Sequence, residues 1–550
     1  LNGSEPLAFE IKATDLGGRI GSVRTKSSEF ETPALLPVIH PLRQAISCSE
    51  LREMGFEAVM TNAYTVFRER DNLEGIEIHK LIGFDGTVMT DSGGYQVLEF
   101  GKVDAQPAEV ARFEEEINSD IAIVLDRPTG FNVTRKHAVE TVESTLAAAI
   151  ETKKAISKEE TAWMLPVQGG RYLDLIEKSA KKSSELEFDC YSLGSPVEVM
   201  EQYEFPLLVR MIVACKRHIP SNKPFHLFGA GHPLIIPLAV ALGCDTFDSA
   251  AYMLYARNGR YISFQGTMRL ENLQYLPCTC RVCSSTSPKE LLALEEADRT
   301  VALARHNLWA TRQIIEQTKQ TIREGRLWEL LKQSASVHPK VNDAFTLVVK
   351  LAREEFDDGT PEYKPRGIFI FDEIDLERPE VQRYKHKLNS IDLRRKEELV
   401  ILPETKTKPF LASRLYKQTT NLVDLERSLI VFMCPNFGLV PAEISDVFPL
   451  SQFTSSSRDL LPVCEAMLLR RKSWSKIHVL LPQKIREENY IARWVYQRVL
   501  SLRQSRKGKS EGLRRRTKIS ISTTYRSFKL ERKRRRRERI SRIGPLDEGA

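Results

Sequence analysis

At 550 residues the chain exceeds the roughly 250–300 at which a single hydrophobic core stops growing, so two to four domains are expected. Its 42% hydrophobic and 28% charged residues are those of a soluble globular protein, and apolar runs such as "LIIPLAVALGC" at 234–244 fall short of the ~20 residues that span a bilayer, which excludes a membrane-embedded class. The net charge of +8 is uneven: 18 Lys or Arg stand against three Glu between Arg503 and Arg542, which leaves the remainder acidic by 7.

The amino-terminal "LNGSEPLAFEIK" lacks the basic start, apolar middle and small-residue cleavage site of a signal peptide, so a cytoplasmic site of action is expected. It begins with Leu, which leaves an unusual start codon or missing or artificial first residues open. Eight short apolar runs follow, each closed by a polar or glycine-rich turn: "LLPVIHP", "EAVMTNAY", "GTVMTDSGG", "IAIVLDRPTG", "WMLPVQGG", "CYSLGSP", "FHLFGAGHP" and "CDTFDSA". Helix-like stretches such as "AEVARFEEEI" and "AVETVESTLAAAIETKKAI" occupy the longer intervals. Strand–helix alternation of this kind gives a parallel sheet, and eight repeats closing on themselves give a (β/α)8 barrel. An open doubly wound sheet is the alternative, without a G-x-G-x-x-G after the first run to support it.

Barrel chemistry sits at the carboxyl ends of strands, which here carry Asp91, Asp126, Gln168, Gly194, Gly229 and Asp248. In "TDSGG" the two glycines remove side chains where a backbone turns tightly or lets a flat ligand approach. One acid at a strand end is commonly a helix cap; three acids, an amide and several glycines at successive ends point instead to one pocket.

After the last run, "LPCTCRVCSSTSPKELLALEEADRTVALARHNLW" sets Cys278, Cys280 and Cys283 as C-x-C-x-x-C, with His306 following after 22 intervening residues. Ser287, Pro288 and Glu290 form a capping box with proline at the first helical position, so a helix is expected to start there and carry His306 on a later turn. Three thiolates and an imidazole close a full Cys3His zinc site, and full sites are structural because catalytic zinc keeps a position open. One Zn2+ per chain is expected, in a subdomain at about 270–310. The other six cysteines, Cys48, Cys190, Cys215, Cys244, Cys434 and Cys464, are scattered singly and read as small buried residues.

The barrel domain with its zinc subdomain is thus expected over 1–335. A Pro- and charge-rich linker follows over 336–390, then a small α+β accessory domain over 391–502. The basic tail over 503–550, with "GLRRRTK" and "ERKRRRRERISR", has too few large apolar residues to order itself before it meets a polyanion such as nucleic acid.

"TDSGGYQ", "VLDRPT", "PVQGG", "HLFGAGHP", "FDSAAYMLYARNGRY" and "CTCRVC" with the later histidine, spread over about 8–335, resemble the tRNA-guanine transglycosylases and in particular their archaeal, archaeosine-forming branch. The resemblance implies a zinc-bearing TIM barrel that exchanges guanine 15 in the D-arm of tRNA for the free base 7-cyano-7-deazaguanine (preQ0). Base exchange at a ribose C1′ without water calls for two carboxyl groups roughly 5 Å apart, one nucleophilic and one moving protons. Asp91 and Asp248 are the candidates; the resemblance makes Asp248 the nucleophile and Asp91 the proton shuttle, although the residues alone allow the reverse. It further implies that Asp126 and Gln168 bind the guanine edge, that Gly194 and Ser195 give the base N–H groups or clearance, and that Arg257 and Arg260 meet tRNA phosphates. His232 is divided between loop packing and substrate contact. The implied partners are tRNA, the free 7-deazaguanine base and a second copy of the chain in a homodimer. Complete archaeal forms end in a PUA domain that grips RNA; no glycine-punctuated strands of that kind follow Arg503, so a separate PUA-type protein, the basic tail or an artefactual terminus is implied. A non-catalytic subunit is disfavoured because both acids are present, and a queuine-type enzyme acting on the anticodon wobble guanine because of "VLDRPT" and the long carboxyl-terminal extension.

Overall fold

The structure, a computed structural model, describes residues 5–72, 75–94, 106–356, 358–434, 436–455, 474–480 and 518–522. The chain divides into two units, Leu1–Pro361 and Glu362–Ala550.

The first unit opens with a sheet that the apolar-run pattern did not reveal. The turn at Leu16-Gly17 joins β1 (Ala8–Asp15) to β2 (Gly18–Arg24), and β3 (Glu29–Thr32) completes three antiparallel strands. Gly17 allows the close approach that fixes this sheet: its N–H donates to Ala241 O at 2.9 Å, and a Cβ there would lie 2.5 Å from the same oxygen.

The eight apolar runs then become β4 (Ala34–Ile39), β5 (Ala58–Asn62), β6 (Thr87–Asp91), β7 (Ile121–Ile123), β8 (Ala162–Val167), β9 (Cys190–Leu193), β10 (Phe225–Leu227) and β11 (Thr246–Ser249). They pair in parallel and close in the order β10-β11-β4-β5-β6-β7-β8-β9, the expected barrel. Strands covered on both faces need apolar residues at every position, which is why they read as continuous runs. Alternate side chains separate into two packed clusters: Leu36, Ala58, Met60, Met89, Ile121, Ile123, Ala162, Met164 and Cys190 form one, while Val59, Val88, Ala122, Trp163 and Leu165 join the helices. The two expected interval helices form at Pro107–Glu116 and Arg135–Ala155.

Beyond β11 come a helix, Ala251–Arg257, and a hairpin of β12 (Arg260–Ser263) with β13 (Gly266–Arg269). The Ser287 capping box forms as expected, with Pro288 at the first turn. Its helix, however, ends at Ala293; His306 lies on a second helix, Glu296–Glu324, so one expected helix is two. The break is stabilised from both sides: Glu296 and Asp298 favour a new amino terminus, and Arg299 donates to the Leu292 and Leu294 carbonyls that the first helix leaves open.

The stretch expected as a linker, 336–390, is folded on both sides of the division at Pro361. Helix Pro339–Glu355 buries Val341, Ala344, Phe345 and Val348 in the core of the first unit, because these residues fall on one helical face. The second unit takes β14 (Ile368–Ile370) and helix Pro379–Ser390. It continues with β15 (Glu398–Pro403), β16 (Ser428–Cys434), β17 (Gly438–Pro441), β18 (Phe453–Ser455), β19 (Lys476–Leu480) and β20 (Lys518–Ser522). Five of these form a sheet in the order β17-β16-β15-β19-β20, antiparallel only at β17, while β14 pairs with β18. Strand β20 falls within the segment expected to stay unordered until bound, and the rest of that basic tail lies outside the described residues, as do Tyr95, Gln96 and Cys464. Among the described residues no helix is long and apolar enough to cross a membrane.

Candidate active site at the carboxyl end of the barrel

Strand alternation puts Asp91 on the same face of β6 as Met89, one layer further toward the carboxyl end. The turn after it explains the two glycines separately. Gly93 adopts φ +94°, and its N–H donates to Asp91 Oδ1 at 3.1 Å. Gly94 provides space, since a Cβ there would overlap the carboxylate of Asp126. Asn62, at the end of the neighbouring β5, accepts from Thr65 N at 2.7 Å as a helix cap and directs its amide toward Asp91 Oδ2 at 3.4 Å. Burial pushes the Asp91 carboxyl up to about 6; the Gly93 N–H opposes the shift and the charge of Asp248 adds to it. The two proposed catalytic acids therefore share one electrostatic site.

Behind them lies a carboxyl that the sequence reading did not single out. Glu114, fully buried on helix Pro107–Glu116, accepts from Thr90 Oγ1 at 2.8 Å and Ser92 Oγ at 2.9 Å. Burial pushes its pKa well above the ordinary range, the two hydroxyls pull it back, and Asp91 adds to the rise.

Asp126 and Gln168 meet directly, Gln168 Nε2 donating to Asp126 Oδ2. The amide is fixed from its other end: Oε1 accepts from Thr129 N at 3.1 Å, Thr129 Oγ1 at 3.0 Å and Ser195 Oγ at 2.9 Å. Among the described residues Gln168 thus has one amide hydrogen left and no free acceptor. Burial pushes Asp126 up to about 7, opposed by the Gln168 amide and reinforced by Asp91. Gly194 and Ser195 serve Gln168, which differs from the expected direct service to a base. The Gly194 N–H is taken by Val167 O at 2.9 Å, and a Cβ on it would overlap the Gln168 amide; the Ser195 hydroxyl orients that amide.

On β11, Asp248 is 9% exposed and among the described residues accepts through one oxygen: Gly229 N at 2.8 Å and His226 Nε2 at 3.1 Å both reach Oδ1. Within "FGAGHP", Gly229 takes φ +67° to aim that N–H, and a Cβ on Gly231 would overlap Ser249. His232 makes a local contact within its loop. Its Nδ1 accepts from Leu234 N at 3.2 Å, and burial pushes its pKa down to about 4, so the ring is neutral near pH 7. Arg257 and Arg260 are exposed, and among the described residues neither has an ion pair; Arg260 lies 5.8 Å from the centre of the Tyr255 ring.

Cys278, Cys280, Cys283 and His306 bring their ligand atoms within 4.8 Å of one another, so this group can hold one metal ion. His306 is buried, stacked on Tyr261 at 3.6 Å, and its Nε2 faces Ile262 O at 2.9 Å. A carbonyl only accepts, so Nε2 carries the proton and Nδ1 offers its lone pair to the cluster, 3.3 Å from Cys283 Sγ. This donor set fits a soft, tetrahedral ion.

Residues 15–340 match the protein family described as queuine tRNA-ribosyltransferase. The chain is 38% identical over 451 residues to the tRNA-guanine(15) transglycosylase of Sulfolobus acidocaldarius, covering 81% of this chain and 88% of that protein. It is 39% identical over 498 residues to the protein of the same name from Saccharolobus solfataricus, covering 87% and 97%. To that of Aeropyrum pernix it is 48% identical over 334 residues, covering 60% and 65%.

Proposed function

The chain belongs to the queuine tRNA-ribosyltransferase family, and from that membership and the pocket above we propose that it replaces guanine 15 in the D-arm of tRNA with 7-cyano-7-deazaguanine, the first step of archaeosine formation on tRNA. The observation that carries the proposal is the pair Asp91 and Asp248, delivered by β6 and β11 to one site with one oxygen of Asp248 unengaged among the described residues.

Asp126 accepts the N–H groups of the guanine edge, and the remaining amide hydrogen of Gln168 donates to the base oxygen. A base that presents a donor there meets another donor and is rejected. Asp248 Oδ2 forms a bond to C1′ as the C1′–N9 bond breaks; the electron pair passes to the departing guanine, which takes a proton from Asp91. Once the bases have exchanged, Asp91 takes the N9 proton of the incoming base, N9 attacks C1′ and the bond to Oδ2 breaks, which restores both acids. A carboxyl pushed up to about 6 suits this two-way proton transfer near neutral pH.

The target base must leave the RNA stack, at roughly a few kcal/mol that contacts elsewhere on the tRNA offset. Arg257, Arg260 and the basic segment 503–550 are the proposed phosphate contacts, with a separate PUA-type protein as a further source of grip, and binding should weaken as salt rises. Cys278, Cys280, Cys283 and His306 hold one structural Zn2+, since protein atoms fill all four positions. The enzyme acts as a cytoplasmic homodimer. Incubation with tRNA and labelled guanine tests the proposal: label should enter at position 15 and be displaced by 7-cyano-7-deazaguanine. Entry at the anticodon, or tRNA binding without exchange, would overturn it.

A further inference from the structure

His226 lies in the middle of β10, is fully buried, and uses both ring nitrogens: Nδ1 is 2.9 Å from Thr246 Oγ1 and Nε2 is 3.1 Å from Asp248 Oδ1. Oδ1 also accepts the Gly229 N–H, so it is the acceptor here and Nε2 carries the hydrogen of this contact. The Thr246 hydroxyl can then donate to Nδ1, which selects that tautomer and makes a chain of donors running from Thr246 through the ring to Asp248. The ring is held in place by an edge contact with Phe228 at 4.9 Å and 69°. A second donor, Gly229 N, reaches the same oxygen at 2.8 Å from a backbone that favours glycine: its φ is +67°, and a Cβ would lie 2.6 Å from Val197 Cγ2. Asp248 is thereby asymmetric, with two donors on Oδ1 and none among the described residues on Oδ2.

We infer that His226 is a positioning residue for the base-exchange reaction: it clamps Asp248 through Oδ1, presents Oδ2 to the ribose and assists the carboxylate as it leaves C1′. The inference rests on the proposal that Asp248 is the nucleophile. In the covalent intermediate Oδ2 is the ester oxygen and Oδ1 the ester carbonyl. Donors on that carbonyl stabilise the negative charge that returns as the incoming N9 forms its bond to C1′ and the C1′–Oδ2 bond breaks. Their loss should therefore slow resolution of the ester more than its formation.

The test measures labelled-guanine exchange and the denaturation-resistant protein–tRNA adduct, together with melting temperature, for the wild type, His226→Phe, His226→Gln, Thr246→Val and Asp248→Asn. His226→Phe should slow exchange roughly 10- to 100-fold, the range of a lost hydrogen bond to a charged group, with an adduct fraction no lower than the wild type's. His226→Gln, which can still donate, should recover most of the rate, and Thr246→Val should lose a smaller share. Should the Phe variant not fold, the same two milder variants decide: wild-type exchange in Thr246→Val, or a Gln variant as slow as Asp248→Asn, overturns the inference. So does wild-type exchange in His226→Phe, or an adduct fraction that falls in step with its rate. Exchange that persists in Asp248→Asn would instead remove the nucleophile on which the inference rests, a result distinguishable from failure of His226 itself.

Discussion

Two sets of three aspartates, one toward each mouth of the barrel, lie at or just beyond strand ends, and their surroundings differ. At the amino-terminal mouth Asp120, Asp189 and Asp245 precede β7, β9 and β11, and each accepts a backbone N–H from the preceding strand: Val88 at 2.7 Å, Trp163 at 2.8 Å and Phe225 at 2.8 Å. Basic side chains complete two of them, His79 at 3.0 Å from Asp120 and Arg19 Nε at 2.9 Å from Asp245. At the carboxyl-terminal mouth Asp91, Asp126 and Asp248 interact through one another's charges, side-chain amides reach Asp91 and Asp126, and among the described residues no basic side chain is paired with either of those two. One mouth uses carboxylates to fix strand register; the other keeps them available to a ligand.

Substitutions should separate the two mouths. The largest effect is expected for Asp248→Asn, whose amide oxygen can still accept from Gly229 N and His226 Nε2, and which should lower labelled-guanine exchange by roughly 10⁴-fold or more while the melting temperature holds. At the opposite mouth Asp245→Ala strands the Arg19 guanidinium and the Phe225 N–H. It should destabilise by about 3–5 kcal/mol in urea unfolding, with the folded fraction still exchanging guanine. A pH series sharpens the contrast. Asp126 has a folded-state pKa pushed up to about 7 from 3.8, so its contribution to stability is present below the lower value and is lost as pH rises toward the upper one. Asp126→Asn stays neutral throughout, so its melting curve should gain on the wild type's between pH 4 and 8, by about 2–4 kcal/mol at the top, while exchange fails. The smallest effect is expected for Ser195→Ala, which removes one of three donors to Gln168 Oε1 and should raise KM for guanine about 3- to 10-fold with kcat nearly unchanged. Equal loss of stability at both mouths would break the comparison.

The barrel was legible because its strands are short, covered on both faces and closed by turns, so each left a countable apolar run. The sheet of β1 to β3 left no such signal, since the middle of β1, Glu10 to Lys12, is exposed and its sequence mixes polar with apolar residues. The helix ending at Ala293 was equally hidden: no glycine or proline marks the break, and side chains of the next helix stabilise it. The division at Pro361 was masked by charge, because Pro339–Glu355 looks polar until its buried face is seen. Among site residues, acids at strand ends stood out by position. His226 did not, because a histidine inside a strand reads as core, and Glu114 in "FEEE" reads as a solvated helix face. Asn62 carried a usable signal, an amide at a strand end just before a helix. Glycine letters alone could not tell whether Gly194 clears space for a base or for Gln168.

Gly93 and Gly94 are the same letter twice, yet they carry unlike instructions, one about handedness and the other about excluded volume. An engineer who wished to reshape the pocket for a bulkier purine could try a left-handed-tolerant asparagine at the first position. At the second, even one methyl group would act as a wedge against the carboxylate proposed to read the base, so this pair limits how far the pocket can be redrawn without rebuilding the turn.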